Sequence, residues 1–335
     1  DTENKWVVVK DHTAGEEYRE RYDKLILSPG ATPINPFRSS PAADHIFTLR
    51  NIPDTYAIRG FVDKTHPKTC AVIGAGFIGL EVAENLAVRG VQVNVIEAAP
   101  HVLAPIDMDT AHEVHNYLRS KGMNLYIGKK CTEIGEGYVM LDNGVRVDAE
   151  MVILSIGVAP ETGFLKESGI ALGRRGEVLV DPSMQTSVPD IYAIGDAVAV
   201  TNFVTKAPGI IALAGPANKQ GRMVADTVCG RTRIYEGSLG TSVVKLFDMT
   251  VAVTGAKEEV LAANGIAYCK SFTYSASHAT YYPGASMMQI KLLFAPNTGL
   301  VLGAQIVGFE GVDKRIDSIA NAIRFGLSVY ELQKM

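Results

Sequence analysis

Cysteine is scarce: four in 335 residues, Cys70, Cys131, Cys229 and Cys269, each isolated from the others. No C-x-x-C pair or metal-type cluster exists, so neither a disulfide framework nor a zinc site is indicated, and no metal is expected. Such usage suits a reducing cytoplasm, with the four thiols as structural residues. Long apolar runs are also missing. None reaches the ~18 residues that a membrane-spanning helix needs, so no membrane partner is expected. The first residues, DTENKWVVVKDH, lack the basic and apolar pattern of a signal peptide. Excess positive charge is absent too: 32 Lys and Arg against 36 Asp and Glu leave a net charge of -4. That balance gives no reason to expect nucleic acid or an anionic membrane as partner. The string His112-Glu113-Val114-His115 is one residue short of the zinc-protease pattern, and an exposed amphipathic helix is the expected reading.

What is present is an ordinary globular composition, 47% hydrophobic and 20% charged, in a chain long enough for two or three domains. Residues 4–10 and 22–28 read as strands, with 11–21 as a turn-rich connection and 29–42 as a proline-rich loop. A short helical piece then precedes a strand at Cys70–Ile73. From there strand and helix alternate: a helix over 77–89 closed by Gly90, a strand over 91–97, and a helix over 109–121 closed by Gly122. Asn143–Gly144 marks a tight hairpin, and MVILSIGVAP reads as a buried strand. Two short strands are expected in 176–197 and a helix over 209–229. Beyond Gly230 the segments become strand-like and antiparallel, and a helix follows with Ile316, Ile319, Ala320 and Ile323 on one face. No repeat of 20–50 residues is visible.

The strongest motif is Gly74-x-Gly76-x-x-Gly79, between a strand and a helix. Its first glycine permits a tight turn, its second lets backbone approach a pyrophosphate, and its third allows close helix–strand packing. Phe77 and Ile78 open the helix whose positive end would face the phosphates. Glu97, at the end of the next strand, is placed to accept the ribose hydroxyls of NAD. Ala98, Ala99 and Pro100 follow it, with no arginine for a 2′-phosphate, so NADH is favoured over NADPH. Glu81, in the first turn of the helix, reads either as a helix-dipole carboxylate or as a group near the nicotinamide. A second constellation, TSVPDIYAIGDA, brings Gly195 and Asp196 to the end of a strand, where α/β folds bind ligands. Asp196 could also be a plain helix cap.

TSVPDIYAIGDA resembles the second FAD motif of the two-dinucleotide-fold flavoproteins. LILSPGATP, with Gly30 and Ala31, resembles the end of their first FAD segment, and SIGVAPET, with Gly157, resembles the return crossing. The resemblance implies an α/β flavoprotein with a Rossmann-like NAD domain inserted in a partial FAD domain, followed by an α+β dimerisation domain. Its segments would be 1–66 (end of the first FAD segment and linker), 67–157 (NAD), 158–232 (second FAD segment) and 233–335 (homodimer contact). By the same resemblance Gly30, Ala31, Gly157, Gly195 and Asp196 join Gly74, Gly76, Phe77, Ile78, Gly79 and Glu97 as cofactor-binding candidates.

HATYYPGAS and GAQIVGFEGVDKRIDSIANAI are similar to coenzyme A-disulfide reductases and their NADH oxidase and polysulfide reductase relatives, the third class of pyridine nucleotide-disulfide oxidoreductases. The likeness implies that Tyr281, or less favourably Tyr282, reaches the partner's redox cysteine; Glu81, from its place near the nicotinamide, is the other catalytic candidate. Lys314 and Arg315 would face an anionic ligand or the partner, or be solvated charges. The implied cofactors are FAD and NAD, the implied substrate is a small disulfide or polysulfide, and coenzyme A is a candidate substrate or bound ligand. The family's own glycine-rich FAD motif and reactive cysteine do not precede Leu25, and ELQKM stops short of a further tyrosine segment. The chain therefore reads as part of a longer enzyme, some relatives of which carry a rhodanese domain. Two alternatives stay open: an NADH oxidase or peroxidase of the same fold, and a non-catalytic fragment that binds NAD and dimerises.

Overall fold

The computed structural model describes residues 1–37 and 43–334; part of the proline-rich loop expected at 29–42 lies outside them. Its helices are α1 (Ile52–Thr65), α2 (Phe77–Val88), α3 (Met108–Ser120), α4 (Ala214–Val228), α5 (Glu258–Ala263), α6 (Val312–Arg324) and α7 (Val329–Leu332). Among the described residues no helix is long and apolar enough to cross a membrane. The chain divides into two compact units, 1–32 with 158–238, and 33–157 with 239–335.

The larger unit contains a five-stranded parallel sheet, in the order Ile46–Thr48, Met151–Leu154, Thr69–Ile73, Gln92–Glu97, Asn124–Ile127. Its central strands are near-continuous apolar runs because both faces are covered: Cys70, Ala71, Val72 and Met151 to Leu154 are almost wholly excluded from solvent. A three-stranded antiparallel sheet, Cys131–Gly135, Tyr138–Leu141 and Arg146–Asp148, packs Ile134, Val139 and Val147 onto Ala71, Ile96 and Val152. Its second turn holds Asn143–Gly144, with Gly144 at φ +78° as a tight hairpin requires.

The C-terminal segment of this unit is a five-stranded antiparallel sheet, in the order Ser242–Leu246, Met249–Gly255, Val301–Gly308, Met287–Phe294, Cys269–Ala276. α6 lies on it, burying Ile316 and Ile323 and half-burying Ile319 and Ala320. Val244, Leu246 and Val251 of this sheet share one apolar core with Val72, Leu80 and Leu86 of the parallel fold. TSVVKLFDMTVAVTG forms two antiparallel strands, with Phe247 at φ +53° in the turn between them.

In the smaller unit, Leu25–Leu27 pairs in parallel with Ile191–Ala193, and α4 adds Val224 to a core of Leu27, Val178, Met184 and Ile191. Three expectations are corrected here. Within 11–21, Glu17–Arg21 forms a strand antiparallel to Trp6–Lys10. Every residue of EYRER is exposed, so no apolar alternation advertised it. The first strand expected in 176–197 reduces to isolated bridges from Val178 to Leu172 and Val198. The helix expected from residue 209 begins only at Ala214.

Candidate nucleotide sites and the tyrosine loop

The glycine loop joins Thr69–Ile73 to α2 at the carboxyl edge of the parallel sheet. Gly74 has φ +99°, and a Cβ there would collide with the Ser155 carbonyl. A Cβ on Gly79 would collide with the Gly74 carbonyl and Ser155 Oγ. Both glycines are thus demanded by the protein itself. Gly76 is different: its φ is -79°, and a Cβ would meet nothing within 4 Å. It is the N-cap of α2 and supplies no side-chain cap, so the first N–H groups of a 12-residue helix receive no capping side chain from it. The protein needs no glycine there; an anion approaching the helix end does.

Glu97 stands beside the glycine loop, at the end of the strand Gln92–Glu97. Its Oε2 accepts from Ala75 N at 2.7 Å and its Oε1 from Ala99 N at 2.7 Å. The carboxylate is fixed in orientation, and each oxygen retains a second acceptor site for a ribose hydroxyl. Ser155, which the sequence reading missed, donates from Oγ to Gly74 O at 2.7 Å and pins the loop to the neighbouring strand. The open helix end, the oriented carboxylate and the absent side-chain cap fit the pyrophosphate and ribose of a dinucleotide.

Phe77 is half-buried, whereas Ile78 is exposed. Ile78 and Glu81 line a largely apolar groove of about 340 Å³ between α1 and α2, with Leu49, Ile58 and Val82. Desolvation there, and then the charge of Glu84, raise the Glu81 carboxyl above its ordinary range. Gly157, at φ +114°, is exposed just past the strand Met151–Leu154 and Ser155, and its carbonyl accepts from Ile34 N at 3.0 Å.

In the smaller unit, parallel pairing sets Ala193 beside Leu27, so the chain after each strand leaves the same edge. Gly195 takes φ +82°, close to Ser28, and its N–H donates to Oε1 of the buried Gln220 at 2.7 Å. Asp196 is half-buried beside it. Gly30 accepts from Glu161 N at 3.0 Å, and Ala31 is buried. Four of the FAD candidates, Gly30, Ala31, Gly195 and Asp196, therefore belong to one unit. Gln220 is an addition that its sequence context, a helix face, did not flag.

The YYPG element lies in the loop between Cys269–Ala276 and Met287–Phe294. Tyr281 is 89% exposed and Tyr282 67%. Arg315 Nη2 donates to Ala276 O at 3.2 Å and Ser277 O at 3.1 Å, so α6 holds the base of this loop. Arg315 is a half-buried brace here rather than a solvated charge; Lys314 is exposed.

The histidine string also needs correction. His112 is exposed, but His115 is buried and its Nε2 accepts from Val102 N at 3.2 Å. Desolvation chiefly, then Arg119, His112 and His101, lower its pKa to about 4. Among the described residues three acids, Asp107, Asp109 and Glu258, converge as a metal site would. Their centre is taken by the ammonium of Lys291, whose side chain is wholly buried. Of the cysteines, Cys70 is sealed in the sheet and burial pushes its thiol far up; burial also raises Cys131 to about 11.

Two dinucleotide-type edges and a C-terminal sheet define a two-nucleotide oxidoreductase architecture. Comparison with known proteins gives the family. Residues 1–221 match the pyridine nucleotide-disulphide oxidoreductase model and 241–335 match the dimerisation domain of the same enzymes. The chain belongs to the pyridine nucleotide-disulphide oxidoreductase family, for which FAD and NAD(H) are the typical cofactors. It is 35% identical over 327 residues to a coenzyme A disulfide reductase of Staphylococcus haemolyticus, covering 97% of this chain and 73% of that protein. The structure of reduced CoADR-RHD from Bacillus anthracis superposes with a TM-score of 0.97 at 45% identity, over the whole of this chain and 61% of that one. An NAD-dependent persulfide reductase from A. fulgidus gives 0.95 at 32%, over the whole of this chain and 62% of that one. The chain thus spans under two thirds of the length of these two solved relatives.

Proposed function

We propose that this chain forms the nicotinamide-binding, flavin-contacting and dimerising part of an NADH-dependent flavoprotein that reduces small disulfides or polysulfides, coenzyme A disulfide foremost. The observation that carries the reading is Gly76, a glycine the protein does not need, at an uncapped helix end beside an oriented Glu97. In this role the α2 N–H groups hold the pyrophosphate and Glu97 accepts the adenosine ribose hydroxyls. A 2′-phosphate would meet that carboxylate, which favours NADH. FAD, when bound, supplies two-electron chemistry between nicotinamide and sulfur. Gly30, Ala31, Gly195 and Asp196 bind it in the smaller unit, and Phe77, Ile78, Glu81 and Gly157 serve the nicotinamide side.

Tyr281, exposed on its braced loop, offers its hydroxyl to a sulfur in the second copy of a homodimer. There it stabilises the thiolate or gives it a proton. By the resemblance the attacking cysteine is read as lying outside these residues; of the four present, Cys70 and Cys131 are held as thiols by burial, and Cys229 and Cys269 are exposed.

The test is a titration of the purified protein. NADH binding is measured by fluorescence and the flavin spectrum is recorded. Anaerobic NADH is then added, followed by coenzyme A disulfide, polysulfide or oxygen. NADH binding with bleaching of a yellow protein, and reoxidation by the sulfur acceptors, is expected. A protein that binds no NADH sinks the reading; a colourless one that binds it is only the nucleotide-binding fragment; one reoxidised by oxygen alone is an oxidase.

A further inference from the structure

The acid trio around Lys291 lies within the larger unit, where the antiparallel sheet meets the nucleotide fold. Lys291, on Met287–Phe294, places Nζ 2.8 Å from Asp107, and 2.7 and 2.8 Å from the two oxygens of Asp109, and also reaches Glu258. An ammonium this deeply buried is stable only when fully paired, so the cluster has one arrangement rather than many. Asp107 is the N-cap of α3, yet its side chain makes no capping bond. It instead accepts from Gln305 Nε2 at 2.6 Å and from Glu258 N at 3.1 Å, while its own N–H donates to Gln305 Oε1 at 2.8 Å. An aspartate that gives up its helix to face another sheet is fixing the position of the chain before it.

That chain leads straight to the nucleotide site. Ile106 N donates to Leu103 O at 2.9 Å, and Leu103 N donates to Ala75 O at 2.8 Å. Leu103 is buried at φ +53°, a left-handed conformation that a leucine keeps only when its surroundings enforce it. Ala75 lies between Gly74 and Gly76 and, with Ala99, supplies the N–H groups that orient Glu97. The glycine loop is thus held on one side by Ser155 and on the other by the segment that Lys291 anchors.

We infer that Lys291 is a positioning residue for the dinucleotide site: from the C-terminal sheet it fixes Asp107, and through residues 103–107 the Ala75 backbone and Glu97. The inference rests on the NADH-binding role proposed above. It specifies that Asp107 transmits the effect and Asp109 does not, since Asp109 balances charge on the outer side and bonds only within α3 and to lysine.

Equilibrium NADH affinity, read by fluorescence alongside the melting temperature, tests it in Lys291→Met, Asp107→Asn and Asp109→Asn. Lys291→Met and Asp107→Asn are expected to raise the Kd for NADH between ~10- and ~100-fold, the scale of a small misplacement of a binding group. Asp109→Asn is expected to lower the melting temperature with the Kd unchanged. If Lys291→Met does not fold, the two aspartate variants decide. Equal loss of affinity in both, or none in Asp107→Asn, overturns the inference. Native protein that binds no NADH overturns the functional reading instead.

Discussion

The glycine loop and the tyrosine loop are both proposed above to carry chemistry, but the protein treats them in opposite ways. Residues 74–79 are bounded by Ser155, Glu97 and Leu103, and two of the three glycines have no room for a Cβ. The YYPG loop is braced at its base by Arg315 and by the Ser277–Ser286 bonds, and Tyr281 projects almost free of its own chain. A site that binds its ligand alone must be built in full by its own fold. A residue that serves a second copy must instead be left bare. Substitutions should separate the two accordingly.

The largest effect is expected inside the glycine loop. Gly74→Ala forces a side chain into φ +99° and against the Ser155 carbonyl, which should cost about 1–3 kcal/mol or more. Thermal unfolding should show a lower melting temperature together with lost NADH binding. Gly76→Thr is the contrasting change. Threonine caps a helix about as well as glycine, and a Cβ at this position meets nothing within 4 Å. Stability should hold while NADH affinity falls. A fall in both, or in neither, would show that the open position at Gly76 has no ligand to receive.

Acid should act next most strongly, and on the support of the loop rather than the loop itself. Burial pushes the Glu258 carboxyl up, but hydrogen bonds from Lys291, Tyr268 and Lys270 outweigh it and bring the pKa from 4.5 down to about 2. A carboxyl depressed in the folded state contributes stability that is fully present above its unfolded pKa and is lost as pH falls through the folded one. This contribution should therefore disappear between about pH 4.5 and about pH 2. Melting temperature followed down this window should drop in the native protein and drop less steeply in Glu258→Gln. Identical slopes would remove Glu258 from the acid response.

How much of this was legible in the sequence follows the same division. The strand, the loop and α2 could be read because local geometry dictates them: a positive-φ glycine, an apolar run, a cap. Glu97 was legible by spacing. Asp107, Lys291 and Gln305 were not, since they meet only through a sheet contributed from residues 287–308. The one trace was a lone lysine in the apolar strand MMQIKLLF, where a charge demands a partner. Glu17–Arg21 was missed because a fully exposed strand has no period to show. Tyr281 was legible only through the resemblance; nothing local distinguishes it from an ordinary turn tyrosine.

Tyr281→Phe should have the smallest effect on the fold and the narrowest effect on function. At 89% exposure the residue buries little, so the change in stability should stay within about 0.5 kcal/mol. Removing one hydroxyl that hydrogen-bonds a charged sulfur is worth about 1.5–3 kcal/mol, or roughly ten- to a hundredfold in rate. Stopped-flow measurement of the two half-reactions should place that whole loss in reduction of the sulfur substrate, with flavin reduction by NADH unaltered. Tyr282→Phe, one position on, should leave both unaltered. If the two variants lose equally, or if Tyr281→Phe slows reduction by NADH as much, the bare loop is not the element that serves the partner.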